Sequence, residues 1–158
     1  MLGFPRVINE KAARTVAAVV ALTGVIALAT GAHWLLIPLA YGFWARVLTG
    51  PRLSPLAQLA SKVIAPRLGA PRDVAGPPKR FAQGMGAAIT TLGVVALALG
   101  WSTVTAVLLA MLVVAATLEA ALGLCIGCKV FAGLMRAGIV PETVCVECAD
   151  ISSRLQRA

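Results

Sequence analysis

Two long stretches without a charged residue constrain this chain more than any other feature. The 31 residues between Arg14 and Arg46, and the 38 residues between Arg80 and Glu119, contain no Lys, Arg, Asp or Glu. A membrane-spanning helix needs about 20 apolar residues, so each stretch is too long for one such helix and sufficient for two short ones. Because 59% of the residues are hydrophobic and only 13% are charged, the composition also indicates a membrane protein.

Turn-forming residues lie near the middle of each stretch, in TGAH at Thr30–His33 and in LGWS at Leu99–Ser102. We therefore predict an all-α membrane protein with four transmembrane helices arranged as two hairpins. The predicted spans are 12–30, 33–49, 82–100 and 102–124, with a connection over 50–81. This bundle over residues 1–124 is followed by a helical, cysteine-containing C-terminal tail over 125–158.

The positive charges predict the orientation of the bundle. All 14 Lys and Arg residues lie near the N-terminus, around the connection between the hairpins, or in the tail, and neither predicted hairpin turn contains one. Because cytoplasmic loops of membrane proteins are rich in Lys and Arg, we expect both termini and the connection on the cytoplasmic side of the inner membrane. Anionic lipid headgroups then account for the net charge of +8, and no nucleic acid partner is expected.

The connection contains a predicted amphipathic helix. Ser54 suits the N-cap position, Pro55 the first helical position, and Pro66 ends the pattern. Five apolar residues share one face: Leu56, Leu59, Ala60, Val63 and Ile64. Such a helix either lies on the inner membrane surface or packs on the cytoplasmic end of the bundle, and the sequence leaves both alternatives open. The Pro- and Gly-rich sequence RLGAPRDVAGPP that follows is interpreted as a linker.

All four cysteines fall in one segment of the chain. They form two C-x-x-C pairs separated by sixteen residues: Cys125, Cys128, Cys145 and Cys148. Structural disulfides are rare in the reducing cytosol, so three alternatives remain. The pairs cycle between dithiol and disulfide or carry sulfur, they bind zinc or iron, or they only pack. No hydrolase or nucleotide-binding motif competes with these hypotheses.

Each chemical hypothesis has a weakness. The spacing of the four cysteines resembles that of structural zinc sites. In an antiparallel helical hairpin, however, the two pairs would be offset along the helix axis by about 9–10 Å, which is too far for one zinc ion to bind all four sulfurs. A metal site therefore requires a break, for example at Gly127 or Gly133. Against the dithiol hypothesis, Cys125 and Cys128 are predicted to lie at the C-terminus of a long helix, where the helix dipole disfavours the thiolate. A helix that restarts near Cys128 would remove this objection.

Glu119 is an ionisable residue within the last predicted span, where such residues are usually paired or functional. Glu119, Gly123 and Gly127 recur at a four-residue spacing, forming a small-residue ridge that allows close helix packing. We therefore expect Glu119 to face the bundle interior, either in a structural ion pair or in a proton relay or quinone site. On a straight helix the cysteines lie on another side. Three cations are candidate partners of Glu119: Arg14, Arg46 and Arg80.

Three segments carry a resemblance to a known family: GPRLSPLA at 50–57, RFAQG at Arg80–Gly84 and LEAALGLCIGC at Leu118–Cys128. Over residues 5–135 the chain resembles bacterial membrane proteins, common in actinobacteria, that are catalogued as domain of unknown function 4395. The most specific motif is C-x-G-C after an intramembrane Glu, matched by Glu119, Cys125, Gly127 and Cys128.

The resemblance implies a four-helix membrane protein with a thiol motif, and thioredoxin-like or rhodanese-like soluble proteins as partners. A larger membrane complex or a homo-oligomer is the other expected partner. A small-molecule transporter is a third hypothesis, which only Glu119 favours, and four short helices make a poor translocation path unless the protein oligomerises. The second pair, Cys145 and Cys148, is not part of the family motif, which keeps the metal alternative open.

Overall fold

A computed structural model describes residues 5–145 of the chain. The predictions for Cys148 and for the end of the C-terminal tail lie outside the described residues. The elements in chain order are β1 (Val7–Asn9), α1 (Glu10–Thr30), a 3-10 turn (His33–Leu35), α2 (Leu36–Thr49), α3 (Pro55–Leu59), a π-helical turn (Ala60–Ile64), α4 (Ala65–Arg67), β2 (Asp73–Ala75), α5 (Gly76–Ala98), α6 (Ser102–Leu122), α7 (Ile126–Arg136) and a 3-10 turn (Glu142–Cys145).

The prediction of a mostly helical chain is confirmed. Three helices, α1, α5 and α6, are long and apolar enough to cross a membrane, and they coincide with three of the four predicted spans. The remaining predicted span contains a 3-10 turn followed by the 14-residue helix α2, which is shorter than a membrane span usually is. Pro38 lies in the first turn of α2, where a missing backbone N–H costs little.

Each helix of the first predicted hairpin packs mainly against a helix of the second. α1 packs mainly against α6 and α2 against α5, and α5 also contacts α6, whereas α1 and α2 hardly touch. The core is formed by apolar side chains of these helices, including Val16, Val20, Leu36, Leu109 and Leu112. The first hairpin is therefore held in place through its contacts with the second.

A short antiparallel sheet, which the sequence analysis did not predict, joins the N-terminal segment to the connection. Val7 pairs with Ala75 and Asn9 with Asp73, and the N–H of Glu10 donates to the carbonyl of Arg72 at 2.8 Å. The interpretation of this region as a linker is wrong for β2. Strands of three residues are too short for an alternating pattern to signal them. We call the end of the bundle that carries β1 and β2 the strand end.

The predicted amphipathic helix is present as α3, the π-helical turn and α4, and it packs on α1. Ser54 caps it, accepting the N–H of Ala57 at 3.3 Å. Three alanines form its buried face: Ala57, Ala60 and Ala65. Leu59 and Val63, which the sequence placed on the apolar face, remain exposed. The π turn adds a residue to the helical repeat and so rotates the buried face toward the alanines, which allow close approach to α1.

Candidate functional site

The helix that was expected to run into the cysteine motif ends before it. α6 stops at Leu122, and Gly123 follows in the left-handed conformation with φ 66°. Its N–H donates to the carbonyl of Glu119 at 3.0 Å, and the N–H of Leu124 donates to Leu118. Glycine is the residue that adopts this conformation most readily after a helix. Gly123 therefore terminates the helix, and α7 starts as a new one.

This break puts the first C-x-x-C pair at a helix N-terminus rather than at a C-terminus. Cys125 is the N-cap of α7, with φ −87° and ψ 106°, and its Sγ accepts the backbone N–H of Cys128 at 3.3 Å. Both thiols are free; Cys125 is buried and Cys128 is half-buried. The first N–H groups of a helix favour negative charge, so the electrostatic objection to a thiolate at Cys125 is removed.

The two thiols differ in acidity because one donates a hydrogen bond to the other. The hydrogen bond from the Cys128 thiol lowers the pKa of Cys125, and the Lys79 ammonium acts in the same direction, against burial and the charge of Glu119. Donating that hydrogen bond, together with burial, raises the pKa of Cys128. Of the pair, Cys125 therefore ionises first.

Glu119 is paired with a residue that the sequence analysis missed. Lys79 Nζ lies 2.5 Å from Glu119 Oε1, and the two side chains are only 7% and 16% exposed. The ion pair is therefore not with one of the three predicted arginines, although Arg46 lines the same cavity as Glu119 and their charges interact. Arg14 donates to the carbonyls of Ala120 and Ala121, while Arg46 and Arg80 bond elsewhere.

The pairing follows from the start of α5, which lies at Gly76 instead of 82. Lys79 then falls in the first turn of the helix, on the same stripe as the buried Gly86 and Thr90, seven and eleven residues later. The neighbouring Arg80 lies off this stripe. A longer helical pattern, extended back through Pro77, would have indicated Lys79 as the inward-facing cation.

Glu119 and Cys125 meet at one cavity, although a straight helix would have kept them apart. The cavity has a volume of about 90 Å³, and its lining includes Glu119, Cys125, Gly127, Arg46 and Gln83. The reversal of the chain at the end of α6 turns the cysteine back toward the bundle. Glu119, Lys79 and the dithiol thus form one local cluster.

The sequence of residues 8–136 matches the family described as Domain of unknown function (DUF4395). The chain belongs to this family. No curated protein and no solved structure matches it. The match begins within β1 and ends at the last residue of α7, so the DUF4395 region contains the whole cluster of Lys79, Glu119, Cys125 and Cys128.

The second cysteine pair lies outside the DUF4395 region. Cys145 follows α7 and is buried and disulfide-bonded, and Cys148 lies beyond the described part of the chain. Within residues 5–145, no group of three or more His, Cys, Asp or Glu side chains is arranged to hold a metal ion.

Gly127 sets how closely α7 approaches α5 in the DUF4395 fold. A Cβ at this position would lie 2.5 Å from Ala82 Cβ and 2.6 Å from Ala82 Cα, so backbone would have to move. We expect Gly127→Ala to lower the free energy of unfolding by about 1–3 kcal/mol, as overpacking does. Denaturant unfolding of the detergent-solubilised protein measures the change.

Gly133→Ala is the matched control, in the same helix but with no atom within 4 Å of the added Cβ. It should raise stability by about 0.5–1 kcal/mol, because alanine is the better helix former. Equal effects of the two substitutions would contradict close packing at Gly127.

Proposed function

We propose that this DUF4395 protein is an integral membrane partner in thiol–disulfide or sulfane-sulfur exchange, with Cys125 and Cys128 as the reacting pair. One observation carries the proposal: Cys125 Sγ accepts the N–H of Cys128 at the N-terminus of α7. Backbone N–H groups at that position stabilise a thiolate, which is the reactive form of cysteine. The C-x-x-C spacing also suits closure into a disulfide.

The membrane placement is part of the proposal. α2 serves as a fourth, shorter span, with local thinning of the bilayer or anchoring at its ends. Large apolar and aromatic side chains are exposed along it, as lipid contact requires: Trp34, Ile37, Tyr41, Trp44 and Leu48. All cations of the described chain lie at or near the strand end, and the opposite turns contain only His33. The strand end and the cysteines then face the cytoplasm and the anionic headgroups of the inner membrane.

The exposures and acidities of the two thiols define the order of the exchange. In the oxidised protein, a thiolate of a reduced partner attacks Cys128 Sγ, the more exposed sulfur. The disulfide breaks and Cys125 leaves as a thiolate, which its lowered pKa favours. The partner's second thiol gives its proton to Cys125 and attacks the mixed disulfide, releasing Cys128, which takes a proton from water. Two electrons and two protons pass from the partner dithiol to the pair.

Sulfane-sulfur transfer uses the same thiolate. Cys125 attacks the terminal sulfur of a partner persulfide, the partner's S–S bond breaks, and its thiolate leaves while Cys125 becomes a persulfide. No external electron donor is needed. A thioredoxin-like partner suits the first exchange and a rhodanese-like partner the second, and a larger membrane complex or a homo-oligomer would hold the pair near either one.

The test is a redox titration of anaerobically purified protein against a glutathione couple, read by peptide and intact mass spectrometry. We expect the peptide with Cys125 and Cys128 to become two hydrogen atoms lighter on oxidation, or one sulfur heavier with a persulfide donor, and to revert on reduction. Cys125→Ser and Cys128→Ser should each abolish the disulfide. Cys145→Ser is the control that should leave it unchanged.

Two results would reject the proposal. One is a first pair that stays reduced and unmodified across the whole titration. The other is about one zinc or iron per chain with all four thiols protected from alkylation, which would identify a structural subunit whose tail is held by metal.

A further inference from the structure

A second cavity at the strand end contains two buried cations. Its volume is about 250 Å³, roomy enough for several water molecules. Arg46 and Lys79 line it, and each is only 6% exposed. Neither Cys125 nor Cys128 lines this cavity, although Arg46 and Gln83 line both cavities.

The charges in the cavity wall do not balance. Lys79 forms an ion pair with Glu119. The charge of Glu119 also acts on Arg46, but within residues 5–145 no carboxylate lies within ion-pair distance of Arg46. The Nε–H of Arg46 donates to Gln83 Oε1 at 2.7 Å, and its guanidinium stacks on Phe43 at 4.6 Å from the ring centroid. Two buried cations share a single nearby acid, so an anion in the cavity would neutralise the remaining positive charge.

The rest of the wall indicates what kind of anion fits. Polar groups of Asn9, Ser61 and Gln83 line the cavity, but most of its lining is apolar. Val7 and Ser61 are exposed and form its rim, whereas Ala12 and Ala57 are buried. An occupant therefore needs a single negative charge beside an apolar portion.

We propose that this cavity binds an amphiphilic monoanion, with its oxyanion group against Arg46 and Lys79 and its apolar portion against Ile8, Ala12 and Val16. A charge-assisted, two-point contact with the terminal nitrogens of Arg46 is the geometry in which guanidinium recognises carboxylates and phosphates. The same chemistry comes from a free short-chain carboxylate or from the phosphodiester of an anionic lipid headgroup.

The test for a free acid is the thermal unfolding midpoint of the full chain in lipid-depleted detergent. Sodium acetate or sodium butyrate is titrated at ionic strength held constant with sodium chloride. We expect a saturable rise, with the affinity for butyrate exceeding that for acetate by up to about fourfold per buried methylene group. Arg46→Gln should weaken binding by about tenfold or more.

Two further variants distinguish loss of the binding site from a general loss of positive charge and from misfolding. Arg67→Gln removes one positive charge at an exposed side chain near the strand end, next to Leu68, whose carbonyl accepts from Lys11, and it should bind as the unaltered protein does. Ser61→Trp fills the rim at an exposed position, so it should fold normally and lose binding.

The lipid source is tested by native mass spectrometry of the protein released from nanodiscs containing phosphatidylglycerol. One lipid retained per chain, and lost in Arg46→Gln and Ser61→Trp, identifies the headgroup as the occupant. Saturable butyrate binding without retained lipid identifies a free acid. Two results overturn the proposal. One is that neither probe binds, and the other is that Arg46→Gln and Ser61→Trp bind a probe as tightly as the unaltered protein does.

Discussion

Lys79→Met is expected to lower the free energy of unfolding by about 3–5 kcal/mol. The lysine is the ion-pair partner of Glu119, at 2.5 Å between Nζ and Oε1, and both side chains are largely removed from solvent. Without the ammonium, the largely buried carboxylate would lose its ion-pair partner. Unfolding of the detergent-solubilised protein in increasing denaturant at neutral pH measures the loss.

Two controls test this prediction: a Lys→Met substitution at an exposed position, and a double variant that removes both members of the ion pair. Lys62→Met removes an exposed lysine of the connection, which contacts only Gln58 among the described residues, and should change stability by less than about 0.5 kcal/mol. The double variant Lys79→Met/Glu119→Leu should regain most of the lost stability, because an apolar pair needs no counter-ion. A double variant as unstable as Lys79→Met would contradict the buried ion pair as the cause.

The double variant also separates the two hypotheses for Glu119. Glu119 lines the same cavity as Cys125, so a proton relay to the dithiol and a purely structural ion pair predict different results. If stability returns and thiol exchange keeps its rate, the pair is structural. Lys79→Met alone removes the ammonium that lowers the pKa of Cys125. If stability returns while exchange slows beyond the effect of Lys79→Met alone, Glu119 moves protons for the dithiol.

Cys128→Ala is expected to slow alkylation of Cys125 at neutral pH several-fold. The hydrogen bond from the Cys128 thiol is the largest influence that lowers the pKa of Cys125. Without this hydrogen bond the pKa of Cys125 rises. At a pH below the pKa, each further unit of separation between pH and pKa lowers the thiolate fraction about tenfold. The midpoint of the pH–rate profile should therefore move to higher pH. Iodoacetamide labelling followed by peptide mass spectrometry reads the rate at Cys125 alone.

Cys128→Ser is the conservative variant for this measurement. Its hydroxyl can still donate to Cys125 Sγ, and its backbone N–H remains at the helix N-terminus. We expect it to retain most of the reactivity of Cys125. An unchanged pH–rate profile in Cys128→Ala would show that the hydrogen bond between the thiols does not control ionisation.

Much of the fold could be read from the sequence because the relevant signals are local. The uncharged stretches and their turn residues located α1, α5 and α6 to within a few residues at most ends, and Ser54 with Pro55 located the start of α3. The start of α5 was the exception. Its first turn contains two prolines and two cations, and its position is tied to the pairing of β2 with β1.

The site was predictable in composition but not in geometry. Cys125, Cys128 and Glu119 were singled out by residue type and spacing. The sequence, however, predicted the cysteines at a helix C-terminus and arginines as the ion-pair partners of Glu119. A glycine such as Gly123 fits equally well in a packed helical ridge and in a left-handed helix end. Only the surrounding contacts select one of these conformations.

The sequence by itself determined the helical, membrane-type character of the chain and the residues available for chemistry. These follow from hydrophobic length, charge distribution and residue type, which act locally along the chain. The tertiary structure alone decided that the chain reverses at Gly123, that Lys79 pairs with Glu119, and that Arg46 and Lys79 line a common cavity at the strand end. Those outcomes depend on how helices distant in sequence rotate against each other, and small shifts in a helix start change which side chain faces inward.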